Sequence, residues 1–207
     1  VAVDLTSVQI TQLTGLNRNT VNRLLACWRL RMAEACALEG PFRGHVELDE
    51  SYFGPRRVKG KPGRGAGQQT IVFGICKRGG KVYAEVVEDC TNPTILATIR
   101  GKVDLRSVVH TDGFKNCDGL VDMGYKKHLR VDHARGEFSS RATLGNHING
   151  IEGFRGYAKT RLARFRGTHR TRSSSTFKEC EFRFNRRRQN LYHVLHRLCR
   201  ENPLSES

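Results

Sequence analysis

The chain has 207 residues, 38% of them hydrophobic and 8% aromatic, which supports one good-sized core and excludes a long array of domains. The mean hydropathy is −0.52, and no stretch approaches the roughly 18 apolar residues of a membrane span, so no membrane partner is expected. Thirty-six Lys and Arg against twenty Asp and Glu give a formal charge of +16 and a pI near 10.1, which favours a polyanionic partner, nucleic acid foremost.

No basic segment followed by an apolar run opens the chain, so a cytoplasmic, nucleoid-associated location is expected. The seven cysteines (27, 36, 76, 90, 117, 180 and 199) form no Cys-x-x-Cys pair and read as reduced thiols, not as a disulfide framework or zinc ribbon.

Residues 1–40 read as a small helix-turn-helix-like module. Ile10, Leu13, Leu16, Val21, Leu24 and Leu25 recur at helical spacing around a break at Gly15. Asn17 or Asn19 can cap a second helix that exposes Arg18, Asn22 and Arg23, which makes Arg18 and Arg23 candidate DNA contacts. The plainer alternative is a helical hairpin packed on the next domain. The second helix runs through Trp28, Met32 and Ala35 toward Gly40 and Pro41, where composition shifts, and a second domain is expected over 44–200.

From His45 the pattern turns to strands: HVELDES alternates, TIVFGICK is a short apolar run, and KVYAEVV alternates again after the Arg78–Gly80 turn. Between the first two lies GPRRVKGKPGRGAGQQ, whose sixteen residues include five glycines, two prolines and five basic residues but no acid. It cannot bury a core and reads as a phosphate-contacting loop through Arg56, Arg57, Lys59, Lys61 and Arg64, with a solvated hairpin connection as the alternative.

NPTILATIRGKV then predicts a helix starting at Pro93 with Asn92 as cap, and SVVHTD a buried strand ending on Asp112. A helix follows from Phe114 to Met123, and a short strand from His128 to Val131. A helical pattern begins near Gly145 and carries Ile148, Ile151, Phe154, Ala158 and Leu162, and a last helix is expected from Ser173 to Cys199. This order fits an α/β class, a ribonuclease H-like mixed sheet flanked by helices.

Three acids occupy telling places. Asp49 lies inside an apolar strand, Asp112 ends the fourth strand 63 residues on, and Glu152 stands 40 residues later between Ile151 and Phe154. The first and fourth strands of such a sheet are neighbours, so these carboxylates can converge on two divalent ions, Mg²⁺ or Mn²⁺, whose hard character suits oxygen donors. Two such ions support in-line phosphoryl displacement. Glu47 shares Asp49's face of the strand and is a possible helper, whereas Glu50 points the other way. His110, His128 and His133 lack a paired cysteine pattern and are not read as zinc ligands.

VELDESYFG, SVVHTDGFK and GNHINGIEGF followed by YAKTRL, in this order, resemble the bacterial insertion-sequence transposases of the DDE type, in the ISXO2-like branch whose third acid stands in a His-x-Asn-x-Ile-Glu motif. The resemblance covers about residues 44–190. It implies a ribonuclease H-like catalytic domain with Asp49, Asp112 and Glu152 as its metal-binding triad, and a basic residue one or two turns after the Glu, a place filled by Lys159. Seven residues on, Lys159 is on nearly the same helix face as Glu152 and can grip a phosphate. Asn149, three residues before Glu152, can orient a water or a base, and members of this branch use Asn at a catalytic position. Two departures stand out: Phe154 is followed by Arg155 where members commonly show Trp, and Phe53-Gly54 by Pro55 where they show a second Gly. No cysteine-rich zinc ribbon precedes the first helices, which reads as a shortened N-terminus or a fragment.

Between Arg155 and Arg200 fourteen Lys and Arg face two acids, Glu179 and Glu181, so most of the excess charge is in the C-terminal part. Arg183, Arg186, Arg187 and Arg188, interleaved with aromatics, read as a DNA track that Lys159 and Arg161 extend; the solvated face of a helix is the alternative. The expected function is a DNA transposase that binds terminal inverted repeats, cleaves the element's ends and joins the 3′ hydroxyls to target duplex DNA, as a homodimer or larger synaptic assembly. The rivals are an inactive or domesticated DNA-binding descendant, and a ribonuclease H-like nuclease without strand transfer.

Overall fold

The computed structural model describes residues 1–54, 69–112, 124–125, 127–131, 148–164 and 173–203, with residues 112, 127, 130 and 131 described by their backbone. Its centre is a five-stranded mixed sheet in the order β3-β2-β1-β4-β5, built from β1 (His45–Phe53), β2 (Thr70–Lys77), β3 (Val82–Val87), β4 (Val108–Asp112) and β5 (Lys127–Val131). β1, β2 and β3 form an antiparallel meander, while β4 pairs parallel with β1, and β5 parallel with β4. The helices are α1 (Ser7–Thr14), α2 (Arg18–Ala37), α3 (Asn92–Ile99), α4 (Asn149–Ala163), α5 (Ser173–Asn185) and α6 (Leu191–Glu201). This is the ribonuclease H-like mixed α/β arrangement expected from the element order.

Strand alternation sorts the two faces of the sheet. Val46, Leu48, Phe73, Ile75 and Val109 pack with Ile95 and Ile99 of α3 into one core layer. Phe53, Val72, Cys76, Val82 and Ala84 pack on the other side with Ile151, Phe154, Ala158 and Leu162 of α4 and Phe177 and Cys180 of α5. Burial of these side chains, each worth about 1.5–3 kcal/mol, is what fixes the register of β1 and therefore which of its acids face α4.

The outer edge of β3 is satisfied by side chains of α5. Asn185 accepts a hydrogen bond from the Val82 amide at 2.7 Å and donates to the Val82 carbonyl at 2.8 Å, and Glu181 accepts from the Ala84 amide at 2.9 Å. These contacts occupy the edge groups of Val82 and the Ala84 amide and so shorten the ladder that β3 could offer to another chain.

Two sequence expectations change. The C-terminal helix is two helices: α5 ends where Asn185 turns to β3, a turn follows, and Asn190 caps α6 by accepting from the Tyr192 amide. α3 has Thr91, not Asn92, as its cap residue, with Asp89 accepting from the Thr91 amide to turn the chain. The helix beginning near Gly145 is described from Asn149 onward, and the expected helix from Phe114 to Met123 lies outside the described residues.

At the N-terminus, α1 ends on Gly15 at φ 70 and α2 is capped by Asn17, which accepts from the Asn19 amide. α2 is not isolated from the sheet domain: Met32 and Cys36 share a core with Phe182 of α5 and Val194 and Leu195 of α6.

Candidate active site

β1 brings Glu47 and Asp49 to the face of the sheet that α4 crosses. Glu47 is completely buried, and Asp49 is only 8% exposed. The parallel register pairs Glu47 with His110 and Leu48 with Thr111, so one step further along the two strands the Asp112 backbone follows beside that of Asp49. Burial of a carboxylate in this position is costly unless charge or hydrogen bonds meet it.

Glu47 is met on both oxygens. Oε1 accepts from Arg78 Nε at 3.0 Å, and Oε2 accepts from the Ile151 amide at 3.0 Å. Ile151 is the third residue of α4, whose first-turn N–H groups have no partner within the helix and carry its positive dipole end. Glu47 therefore caps α4 from a strand 104 residues away.

Two glycines permit this approach. A Cβ on Gly150 would stand 2.8 Å from Glu47 Oε2 and 3.1 Å from Cys76 Sγ. A Cβ on Gly74, which faces Asp49 in the β1–β2 register, would stand 2.5 Å from Ile151 Cδ1. Burial pushes the Cys76 thiol up to about 12, with the Glu47 charge adding to it, so Cys76 is packing and not a nucleophile.

One turn beyond Glu152, Arg155 Nη1 lies 3.5 Å from Asp49 Oδ2. The turn of α4 that carries Glu152 is thus bracketed by two contacts to β1: Glu47 to the residue before it, and Arg155 to Asp49 itself. Glu152, Lys159 and Asn149 are all exposed, and Glu152, Arg155 and Lys159 follow one stripe of the helix. Burial lowers the pKa of Lys159, the neighbouring Arg155 charge lowers it further, and Asp49 pulls it back up. Asp49, Arg155 and Lys159 accordingly share one electrostatic neighbourhood.

His110 does not stand alone on this face: its Nε2 is 2.9 Å from His45 Nδ1, with the rings stacked. On the opposite face His128 Nε2 is 2.8 Å from the Thr111 hydroxyl, and burial lowers the His128 pKa. His133 lies outside the described residues.

The basic candidates divide sharply. Arg161 and Arg183, expected on the DNA track, are each 5% exposed and turn inward, which corrects that reading. Arg161 donates to both Asp4 oxygens at 2.9 and 2.7 Å and to Glu179 at 2.6 Å; Arg183 donates to Glu179 at 3.0 Å and to the Val1 carbonyl. Arg29 completes the group on Glu179 Oε2. Arg186 is half engaged, pairing with Glu39 at 3.3 Å and stacking on Phe182. Arg187, stacked over Phe184, and Arg188 are exposed, as are Arg18 and Arg23 on α2. Arg56, Arg57, Lys59, Lys61 and Arg64 lie outside the described residues.

Residues 41–185 match the ISXO2-like transposase domain. The chain belongs to the ISXO2-like transposase family. It is also 38% identical over 105 residues to an uncharacterized transposase-like protein of Haemophilus influenzae, an alignment covering 51% of this chain and 81% of that protein. The matched transposase domain contains Asp49, Asp112, Asn149, Glu152 and Lys159, and begins after α2.

Among the described residues no group of three or more His, Cys, Asp or Glu is close enough to hold a metal ion. The Asp112 side chain is outside that set. The donor chemistry does fit a hard divalent cation: Asp49 and Glu152 offer carboxylate oxygens, the Asp112 backbone follows beside β1 at the end of β4, and the neighbouring thiol, Cys76, is held protonated.

Sequence reasoning missed Arg78, Gly74 and Gly150 as parts of the site and treated Arg155 only as a departure from the family pattern. Arg155 had a readable signal, its position three residues after Glu152 on the same stripe. The glycines had none, because their role depends on a close approach between residues far apart in the chain.

Proposed function

We propose that this transposase cuts and joins DNA by metal-dependent phosphoryl transfer, with Asp49, Asp112 and Glu152 as its triad. The observation that carries the reading is the pair of contacts bracketing Glu152, which lie where its turn of α4 meets the strand bearing Asp49. The three carboxylates would hold two Mg²⁺ or Mn²⁺ ions, which supply activation of the attacking oxygen and stabilisation of the leaving one in an in-line displacement.

Glu47 acts at one remove. Its cap on α4 and its ion pair with Arg78 hold the triad's helix against the triad's strand, the rigidity that a site working within about half an ångström requires. Lys159, exposed two turns beyond Glu152, grips the phosphate next to the reacting bond, and the amide of Asn149, at the exposed first position of α4, orients a water.

The substrates of this reading are duplex DNA carrying the element's terminal inverted repeats and a target duplex. Exposed Arg18 and Arg23 on α2 and Arg187 and Arg188 after α5 contribute backbone contacts, and the basic residues 56–64 add to them. One protomer per end makes a homodimer or larger synaptic assembly, bound to the nucleoid where its substrate is. Residues 1–40 serve as the DNA-binding unit and 44–200 as the catalytic one.

Labelled DNA carrying the flanking repeats, incubated with Mg²⁺ or Mn²⁺, tests this by comparing the parent chain with Asp112→Asn. Both bind; the parent makes nicks and joined products, and the variant makes neither. If both bind the repeats and neither cuts, the chain is a DNA-binding descendant of a transposase and the enzymatic reading is wrong.

A further inference from the structure

Arg155 is placed unlike every other described arginine of α4 and α5. Its side chain is 41% exposed, yet it reaches back to Asp49, which is 8% exposed. At 3.5 Å the contact is longer than the roughly 2.7–2.9 Å of a charge-assisted hydrogen bond, so this is a loose ion pair. Arg161 and Arg183, by contrast, are held at 2.6–3.0 Å by Glu179.

Helical periodicity puts Arg155 on the border between the buried stripe of Ile151, Phe154, Ala158 and Leu162 and the exposed stripe of Glu152 and Lys159. Around it the surface is open. Gly156, beside Glu152 and Lys159 on the helix surface, brings no side chain, and a Cβ there would meet nothing within 4 Å. The guanidinium can therefore leave Asp49 for the exposed stripe by rotating its own side chain, with no repacking of its surroundings.

We propose that Arg155 is an exchangeable counter-ion that couples metal binding to DNA binding. In the metal-free chain its guanidinium neutralises Asp49. When Asp49 binds a divalent cation, Arg155 is released to the Lys159 side of α4, where its planar fork takes a backbone phosphate of duplex DNA. Because the guanidinium serves either Asp49 or a phosphate, each of the two ligands makes the site more favourable for the other, and linkage requires the effect to be reciprocal. The inference rests on the metal-site reading of Asp49 given above.

The test uses the full chain, its Arg155→Ala variant and its Asp49→Asn variant, with free Mn²⁺ followed by electron paramagnetic resonance and duplex binding by fluorescence anisotropy at matched ionic strength. Without DNA, Arg155→Ala binds Mn²⁺ at the Asp49-dependent site about two- to fivefold more tightly than the parent, the range expected for removing a half-exposed competing ion pair. Without metal, Arg155→Ala binds the duplex as the parent does; with Mn²⁺ it binds about fivefold more weakly, having lost one phosphate contact. Equal Mn²⁺ affinities of parent and Arg155→Ala, or a DNA defect of the same size with and without metal, overturn the inference while leaving the metal site standing. If Asp49→Asn removes no Mn²⁺ binding from the parent, the metal-site reading falls and the inference with it. Arg155→Ala leaves the buried Asp49 carboxylate without this counter-ion and should melt below the parent, whereas Asp49→Asn removes the charge as well, so binding is compared at a temperature at which thermal melts show all three chains folded.

Discussion

Fourteen basic residues lie between Arg155 and Arg200, and they are divided by what each cation touches. Arg161 and Arg183 are internal struts: with Arg29 they surround Glu179 and Asp4, two acids that would otherwise be stranded in a nearly dry pocket. Removing one partner of such a group leaves a buried charge uncompensated, so Arg161→Ala should cost about 3 kcal/mol or more of stability, read by urea unfolding. Arg188→Ala should leave the unfolding midpoint unchanged and instead reduce the salt dependence of duplex binding by about one unit of slope. A run of basic residues in a sequence cannot separate these roles. The Glu179–Arg183 spacing of four was readable on a helix, but Asp4, which completes the group, is 157 residues from Arg161. Asp49 and Glu47 were legible for the opposite reason: period-two alternation within one strand settles which acids share a face.

At the scale of elements, the site depends on α4 pressing closely on β1 and β2, and the glycines there show how close. Gly150→Ala gains about 1 kcal/mol of helix propensity, yet its Cβ would enter the space of Glu47 Oε2 and Cys76 Sγ, both buried. Overpacking should win, for a net loss of about 1–2 kcal/mol, while Gly153→Ala, open on all sides, should stabilise by about 0.5–1 kcal/mol. Thermal melts of the two variants side by side check both signs. Most elements were legible from periodicity and turn residues, because β1 to β4 and α2 to α4 each bury an apolar stripe or run. The division between α5 and α6 was not. The apolar spacing continues across it, and the break is imposed by Asn185, whose side chain serves the β3 edge instead of its own helix, and by the Asn190 cap.

Over the whole molecule, the first residues are tied to α4 and α5 by the Asp4 carboxylate, and to α5 also by the Val1 carbonyl. Burial raises the Asp4 pKa, but the hydrogen bond from Arg161 and the charges of Arg161 and Arg183 outweigh it and hold Asp4 below its ordinary value of 3.8. A carboxyl depressed in the folded state stabilises above its unfolded pKa, and that contribution is lost as pH falls through the folded value. Asp4→Asn should therefore lower stability at neutral pH, with the gap between parent and variant closing only below about pH 3.8, as urea unfolding at pH 7 and pH 3 would show. Val1, Ala2 and α2 pack against α5 and α6, so the exposed Arg18 and Arg23 of α2 and the exposed Arg187 and Arg188 are carried by elements that share one core cluster. Composition could announce a polyanionic partner, but not this docking, which depends on Met32 and Cys36 meeting Phe182, Val194 and Leu195 across the full length of the chain.

The central claim is that a carboxylate triad fixed by α4 and the sheet performs strand transfer. The most direct measurement gives the chain a pre-cut duplex end with a free 3′ hydroxyl, a plasmid target and Mg²⁺, and compares it with Glu152→Gln. The parent should join the end to the plasmid, and Glu152→Gln should bind the same duplex with similar affinity and join none. Joining by Glu152→Gln at the parent's rate, or duplex binding without joining by the parent, would contradict the account.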